Sequence, residues 1–319
     1  MIKKFFANLI IFCSILFIIV GGYIFLIFKH PDLVDEAYYK FTTPKANSLI
    51  IGTSRAAVGI VPSVVNERLF GGKKKIINHS FTFGTSNYGP RYLREIKQKI
   101  QTGDSHKGIY IVAVDPWSLS INKTDVDDTS SFIEIKNNVF VGGLNSSSVN
   151  PNIEYLRKYW SNRMNPFVIL FKKVIKHEGL WILRKDGWMD IDVPCDSATV
   201  SHRIAMGLAD YKKNDMKLSG TRFVYLGQII EFLQQEGKVY LVRMPLTPEM
   251  KNLEFTEFPN FDEKIKIVTQ KYNVPYFNFI NANDYKFVDI HHIQKPSAFK
   301  ISAQICDSIT ELKTLSLIK

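Results

Sequence analysis

The chain has 319 residues, 45% of them hydrophobic and 22% charged, a composition typical of a globular protein that can bury a full core. Its formal net charge of +11 suits anionic lipid head groups or anionic envelope polymers, and a solvated basic surface without a specific partner is the alternative. Nucleic acid is disfavoured as a partner, because the sequence has no zinc-finger spacing, no RNP-type aromatic motif and no long basic helix.

The N-terminal segment is apolar enough to cross a membrane. From Phe5 to Phe28 the chain is uncharged, and as a helix this stretch would span about 36 Å at about 1.5 Å per residue. It is not followed by the small-x-small pattern of a signal-peptide cleavage site, which favours an uncleaved anchor over a cleaved signal peptide. Lys3 and Lys4 precede it, so we predict a cytoplasmic N-terminus and an extracytoplasmic remainder. The anchor covers 5–28 and a short neck covers 29–46.

The cysteines are too few for a disulfide-rich scaffold. Cys13 lies in the predicted anchor, so one intramolecular disulfide at most, between Cys195 and Cys306, is open to the rest of the chain. No Cys/His cluster has metal-ligand spacing. We therefore predict no metal and no other cofactor.

After the neck, strands and helices alternate. Buried strands are predicted at Leu49–Ile51, Lys75–Asn78 and Gly108–Val114, and helical runs separate them, ending at Phe70 and at Gln101. Pro116 forbids further strand pairing after the third strand. This order predicts parallel βαβ units in a doubly wound sheet over 47–118.

The regular order of strands and helices is absent over 119–220 and resumes after it. This stretch is first rich in Asn, Ser and Asp and then aromatic, so we predict an insertion that forms a cap or one wall of a cleft. Alternatively, its aromatic residues form only a small core of their own. Those residues are Tyr155, Trp160, Phe167, Phe171, Trp181 and Trp188.

The second part of the predicted sheet domain covers 221–319. Its predicted elements are a helix at Arg222–Glu236, a strand at Lys238–Arg243, a helix at Asp262–Tyr272, a strand at Val274–Phe279 and a closing helix at Ser297–Leu312. With the first three strands, this predicts a flavodoxin-like, five-stranded parallel sheet with helices on both faces.

The stretch SLIIGTSR at 48–55 places a serine at the carboxyl end of the first strand, where α/β proteins hold their ligands. Ser54 is the candidate nucleophile, and a polar capping turn is the alternative. A serine hydroxyl needs a base, usually a histidine held by a carboxylate. Asp289 and His292, three residues apart before the last helix, suit these roles, although an Asp at that position can also be a helix cap.

Taken together, Gly52-Thr53-Ser54, Gly84 and Asp289-x-x-His292 resemble the blocks of the SGNH or GDSL-like hydrolase superfamily, and especially its membrane-anchored envelope esterases and acyltransferases. The resemblance covers 48–117 and 238–312. It implies that Ser54 is the nucleophile, His292 the general base and Asp289 its orienting carboxylate. The backbone amides of Ser54 and Gly84 would form the oxyanion hole. The D-alanyl transfer proteins of teichoic acid assembly are similar in the same way.

The third block departs from this family, which usually places an oxyanion-binding Asn where this chain has Asp115. An ionised Asp115 facing the developing negative charge would raise the barrier. Three readings stay open: Asp115 points away, it is protonated, or Asn87 or Arg55 replaces the missing donor. Arg243, at the end of the fourth strand, is either an anion-binding substrate contact or a surface arginine.

Two further histidines compete for the role of base. His291 has the wrong spacing from Asp289 for the family pattern, and His79 is expected in a loop or at the surface.

The function that the resemblance implies is serine-dependent transfer or hydrolysis of an O-acyl group, such as acetyl, on an extracytoplasmic envelope glycan. The expected partners are the membrane, an acylated envelope polysaccharide or acyl carrier, and a multi-pass membrane acyltransferase. A non-catalytic envelope protein that uses the same fold to bind a polymer or a membrane acyltransferase is the alternative.

Overall fold

Five parallel strands form the central sheet of the computed structural model, which describes residues 2–29, 37–103, 108–159 and 180–317. Three strands come from the first part of the chain: β1 (Ser48–Ile51), β2 (Ile76–Asn78) and β3 (Gly108–Ala113). The other two, β8 (Gly237–Arg243) and β9 (Tyr276–Asn278), follow more than 100 residues later, and the order across the sheet is β2-β1-β3-β8-β9. The predicted five-stranded parallel sheet is confirmed.

The sheet is buried on both faces. Neighbouring residues of a strand point to opposite faces, so they contribute to different hydrophobic clusters. Leu49 and Ile51 of β1 contribute to one hydrophobic cluster, whereas Ile50 between them contributes to another. Both clusters are completed by helices, so a run of consecutive apolar residues in each inner strand is what this fold requires.

Helices flank the sheet on each side. Those that pack on the face of Leu49 are α2 (Tyr38–Thr42), α5 (Pro90–Lys99), α9 (Gly220–Glu236) and α11 (Phe261–Tyr272). Those that pack on the face of Ile50 are α3 (Ser54–Gly59), α4 (Pro62–Phe70) and α12 (Lys295–Leu317). The carboxyl ends of the five strands therefore open between these two layers, which is where the predicted site residues follow their strands.

The N-terminal helix α1 (Ile2–Lys29) stands apart from this core. Within it, Ile2–Phe25 is long and apolar enough to cross a membrane, and none of that stretch is buried by the rest of the protein. A signal sequence has the same length and composition, so the helix confirms the predicted apolar segment and leaves its retention and orientation as predictions.

The end of the neck is hydrogen-bonded to a buried lysine of α5. Residues 30–36 of the predicted neck lie outside the described residues, and the remainder contains α2. Lys99 of α5 is buried and donates hydrogen bonds to the carbonyl oxygens of Lys40, Thr43 and Ser147. Burial lowers the pKa of Lys40 and of Lys99 to about 7. These contacts fix the end of the neck against the sheet domain.

The described parts of 119–220 form small elements around the sheet. They are β4 (Ser120–Asn122), α6 (Ile133–Lys136), α7 (Ile153–Tyr159), β5 (Leu180–Leu183), β6 (Met189–Asp192), α8 (Ser197–Lys212) and β7 (Met216–Leu218). The strands β4 and β7 pair antiparallel, as do β5 and β6. Trp160, Phe167 and Phe171, named above as aromatic residues of this stretch, lie outside the described residues.

Outside 119–220, three of the described helices are absent from the elements predicted above: the short α2 and α3, and α10 (Pro248–Glu257). The sequence of α10 carries a start signal, because Thr247 caps the backbone amide of Met250 and Pro248 occupies the first turn. The other boundaries differ from the predictions by a few residues, as is usual at helix and strand ends.

All three cysteines are free. Cys195 is exposed and Cys306 is buried among the residues of α12, so the disulfide that the sequence left open does not form.

Candidate functional site

A glycine shapes the turn between β1 and α3. Gly52 has φ of 155°, and a Cβ atom there would lie 2.9 Å from the Cβ atoms of Ala113 and Ala56, closer than side chains approach. The Gly52 amide donates to the Tyr92 hydroxyl, and its carbonyl accepts from Ser86. Glycine is therefore required where the chain leaves the sheet, two residues before Ser54.

The helix that begins at Ser54 is held by the neighbouring strand. The side-chain amide of Asn78, at the end of β2, donates to the carbonyl oxygens of Ala56 and Ile60, and its oxygen accepts from the amide of Ser80. Because Asn78 is buried, these bonds are shielded from water. They fix the position of α3, and with it Ser54, relative to the sheet.

The structure joins Asp289 and His292 into a carboxylate–imidazole pair. One Asp289 oxygen accepts from the backbone amides of His291 and His292, at 3.0 and 2.8 Å, and the other lies 2.7 Å from Nδ1 of His292. Burial alone would raise the pKa of Asp289, but the hydrogen bond and charge of His292 lower it. An ionised carboxylate at this distance holds Nδ1 protonated and leaves Nε2 as the basic nitrogen.

Nε2 of His292 is buried and has no hydrogen-bond partner among the described residues. The side chain as a whole is 7% exposed. A basic nitrogen that is shielded from water and has no partner of its own is able to accept a proton from a hydroxyl that reaches it.

The loop of His292 packs along α3. Val288 belongs to a small hydrophobic cluster with Ala57 and Val58 of α3, and the side chain of Ile293 lies 3.3 Å from the position of a Cβ on Gly59. The loop is closed by a 2.7 Å hydrogen bond from the amide of Val288 to the carbonyl of His292. The predicted nucleophile thus begins a helix whose side contacts both flanks of the histidine loop.

An aromatic side chain from β5 covers the histidine. Trp181 contacts the ring of His292 edge to face, with 5.1 Å between ring centroids, and is 37% exposed. Its hairpin is fastened to α3 because Leu183, Met189 and Ile191 pack against Ala57 and Val58. Trp181 was named from sequence only as one of several aromatic residues, and its contact with His292 has no local signal.

The predicted oxyanion donors Gly84 and Asn87 contact each other. The amide of Gly84 donates to Oδ1 of Asn87 at 2.8 Å, whereas Nδ2 of Asn87 is buried and has no partner among the described residues. The Gly84 amide is therefore occupied, whereas the side-chain amide of Asn87 is a free donor in this loop. A buried amide without a partner costs free energy unless a ligand satisfies it.

Asp115 is held by two donors. Its Oδ2 accepts from the hydroxyl of Thr53 at 3.0 Å, and its Oδ1 accepts from the amide of Ser118 at 2.9 Å. These bonds favour the reading in which Asp115 supports the turn before Ser54. They also explain why a threonine precedes the serine here, since its hydroxyl is the donor that Asp115 needs.

Arg55 and Arg243 are joined through one carboxylate. Glu254 of α10 lies 2.7 Å from Nη2 of Arg55 and 2.9 Å from Nη2 of Arg243, and it accepts from the indole of Trp117. Arg243 also pairs with Asp262 at 2.5 Å. Both arginines are buried, so the expectation that Arg243 is a surface residue is wrong. The roles of Arg55 as an oxyanion donor and of Arg243 as a substrate contact stay predictions, and both guanidinium groups are already ion-paired.

Of the other two candidate histidines, His79 is buried and His291 is half-buried. His79 lies 3.0 Å from Glu95, and burial lowers its pKa to about 4. His79 does lie in a loop, directly after β2, but the expectation of a surface residue is wrong, because the side chain is buried and its Nε2 is paired with Glu95. His291 packs against Tyr211 and against His292, and burial, followed by the charge of His292, lowers the pKa of His291 well below its usual value.

Sequence reasoning missed Glu254 and Tyr211. The sequence does contain a signal for the helix of Glu254, because Thr247-Pro248 is a typical helix start. The ion pairs of Glu254 with Arg55 and Arg243 have no such local signal. Tyr211, at the end of α8, contacts both Trp117 and His291, and nothing in its local sequence indicates this.

No protein-family model matches this chain, and no curated protein matches it in sequence. A functional proposal therefore depends on the geometry of this site.

Proposed function

We propose that this protein is a membrane-anchored serine esterase or O-acyltransferase of the SGNH type, acting on an acylated envelope glycan. One observation carries the proposal. His292 has Nδ1 held by Asp289 and a free, buried Nε2, and its loop packs along the helix that begins at Ser54. The strand order β2-β1-β3-β8-β9 supports the flavodoxin-like sheet that this family uses.

In the first half-reaction, the Ser54 oxygen attacks the ester carbonyl while His292 Nε2 takes the hydroxyl proton. Asp289 stabilises the resulting imidazolium. The tetrahedral intermediate then expels the alcohol, which leaves with the proton from His292. The product is an acyl ester on Ser54.

The negative charge on the intermediate requires donors that are fixed before the reaction. The side-chain amide of Asn87 suits this role, because it is buried and has no partner among the described residues. The backbone amide of Ser54 is the second donor that the family resemblance implies. Asp115 is not needed as a donor, since its oxygens accept bonds from Thr53 and Ser118.

In the second half-reaction, His292 removes a proton from a sugar hydroxyl or from water, and that oxygen attacks the acyl carbonyl. The bond from the acyl group to the Ser54 oxygen then breaks, and His292 returns the proton to Ser54. Exclusion of water decides between transfer and hydrolysis. Trp181 shields one side of His292 and presents a large exposed aromatic surface next to it. This arrangement favours an acceptor with an apolar face, such as a sugar ring.

A non-catalytic envelope protein is the second candidate, with a polymer or a membrane acyltransferase as its partner. It is favoured by one specific observation, that the Gly84 amide is occupied by Asn87 and so does not point into an open oxyanion hole.

Labelling with a serine-reactive fluorophosphonate separates the two candidates. We expect the purified wild-type protein to be modified, and the modification to be lost in Ser54→Ala and reduced at least 100-fold in rate in His292→Gln. Ser63→Ala is the matched control, because Ser63 is an exposed serine of the next helix, and it should label like wild type. A folded wild-type protein that is not modified would favour the binding protein and overturn the enzyme.

A further inference from the structure

The loop of His292 brings three metal-ligating side chains together. One ligand atom from each of Asp289, His291 and His292 lies within 4.8 Å of the other two. The two imidazole rings are adjacent, with 4.0 Å between their centroids. The sequence spacing D-x-H-H matches none of the usual metal motifs, which is why sequence reasoning predicted no metal here.

Two nitrogens of this cluster are free to bind. Nδ1 of His291 and Nε2 of His292 are both buried and have no hydrogen-bond partner among the described residues. A buried imidazole nitrogen without a partner loses its hydrogen bond to water on folding, and a ligand that accepts its lone pair recovers that loss.

The second nitrogen of His292 is already prepared for coordination. Its Nδ1 is fixed by Asp289 at 2.7 Å, and a carboxylate behind a histidine orients the ring and raises its basicity as a ligand. The Asp289 carboxylate also supplies a negative charge to the cluster. The positive charge of Arg55, which acts on His291, is offset by its ion pair with Glu254.

The donor set indicates which kind of ion fits. Imidazole nitrogens suit Zn²⁺ and similar transition metals, whereas Mg²⁺ and Ca²⁺ prefer oxygen ligands. Ligands of a tetrahedral Zn²⁺ at about 2.0–2.1 Å from the ion lie about 3.4 Å apart.

We propose that Nδ1 of His291 and Nε2 of His292 bind Zn²⁺ or a similar transition metal, with Asp289 orienting His292 through its Nδ1, and that the bound ion inhibits the serine chemistry. The lone pair of Nε2 either accepts the proton of Ser54 or binds the metal, so the two states exclude each other. The inhibition rests on the proposed function, whereas the binding does not.

Metal binding is tested first, with ZnCl₂ as the probe. The full-length protein in detergent, without a histidine tag and stripped with EDTA, is titrated by calorimetry. We expect one site with a Kd of about 10 µM or tighter, and at least tenfold weaker binding in His291→Gln. His202→Gln is the matched control, because His202 is an exposed histidine outside the cluster, and it should bind like wild type.

The second measurement is fluorophosphonate labelling of Ser54, compared with and without Zn²⁺ within each variant. In wild type we expect saturating Zn²⁺ to lower the labelling rate at least tenfold and EDTA to restore it. In His291→Gln the same Zn²⁺ concentration should have a markedly smaller effect.

The two measurements separate failure of this inference from failure of the proposed function. Labelling without Zn²⁺ binding, or Zn²⁺ binding that is equal in wild type and His291→Gln, overturns the metal site and leaves the enzyme standing. Zn²⁺ binding that requires His291, in a protein that never labels, supports the site and overturns the enzyme and its inhibition.

Discussion

Asn87 is the single residue on which the proposed oxyanion hole most depends. Of its two polar side-chain atoms, Oδ1 accepts a hydrogen bond from the Gly84 amide, whereas Nδ2 is buried and has no partner among the described residues. A donor aimed at the position of developing charge is worth about 3 kcal/mol in the transition state. The family that the sequence resembles has its asparagine after the third strand, and we propose that Asn87, after the second strand, replaces it here.

Replacement of Asn87 by Asp tests this assignment with little change in shape. Asn87→Asp keeps an oxygen for the Gly84 amide but removes the donor and adds a negative charge beside the intermediate. We expect a loss of about 100-fold in kcat for hydrolysis of p-nitrophenyl acetate. Asn281→Asp, at an exposed asparagine, should keep normal kcat. Normal kcat in Asn87→Asp would show that another group binds the oxyanion.

At the scale of elements, α10 and the turn after β1 depend on each other. Glu254 of α10 pairs with Arg55, the residue after Ser54, and with Arg243 at the end of β8. The three groups are buried, so each needs the others for compensation of its lost hydration. This network connects a surface helix to the start of α3.

Replacement of Glu254 by Gln should therefore destabilise the protein strongly. Loss of the carboxylate leaves two buried guanidinium groups without their shared partner, and we expect the free energy of unfolding to fall by about 3 kcal/mol in urea titrations. Glu249→Gln, at an exposed glutamate of the same helix, should change it by less than about 0.5 kcal/mol. Equal stability of the two variants would mean that the network contributes little.

At the scale of the whole molecule, the exposed apolar helix α1 lies in the same chain as a site of buried polar side chains. The helix α1 is not covered by the rest of the protein, and the neck that follows it is fixed to the sheet by Lys99. We propose that this arrangement holds the site close to a membrane surface, facing the envelope side.

Location is checked by extraction and by thiol labelling. We expect the protein to remain in the membrane pellet after a carbonate wash, because α1 is long enough to span the bilayer. Cys195 is exposed and free, so a membrane-impermeant maleimide should label it in intact cells when the sheet domain lies outside.

Cys195→Ser is the control for the thiol reagent, since the remaining cysteine of the sheet domain, Cys306, is buried. Release by carbonate would contradict the anchor. Labelling of Cys195 only after cell lysis would contradict the orientation.

Local sequence determined the apolar helix near the N-terminus and the five strands of the sheet. Both depend on short-range patterns, namely an uncharged run and apolar stretches bounded by glycine and proline. It also determined the pair of Asp289 and His292, because a spacing of three residues is enough for the carboxylate to contact Nδ1 of the imidazole. Helix α10 was predictable in the same way from its Thr-Pro start.

Tertiary structure alone decided which polar groups are paired and which are free. His79 is buried against Glu95, Arg55 and Arg243 share Glu254, and Trp181 covers His292, although these partners are distant in sequence. Packing of the chain, and not the residue type, decides which groups lose water, and a buried polar group must then find whatever partner the fold brings near. The free nitrogens of His291 and His292 and the free amide of Asn87 are among the buried polar atoms that this pairing leaves without a hydrogen-bond partner in the described part of the chain.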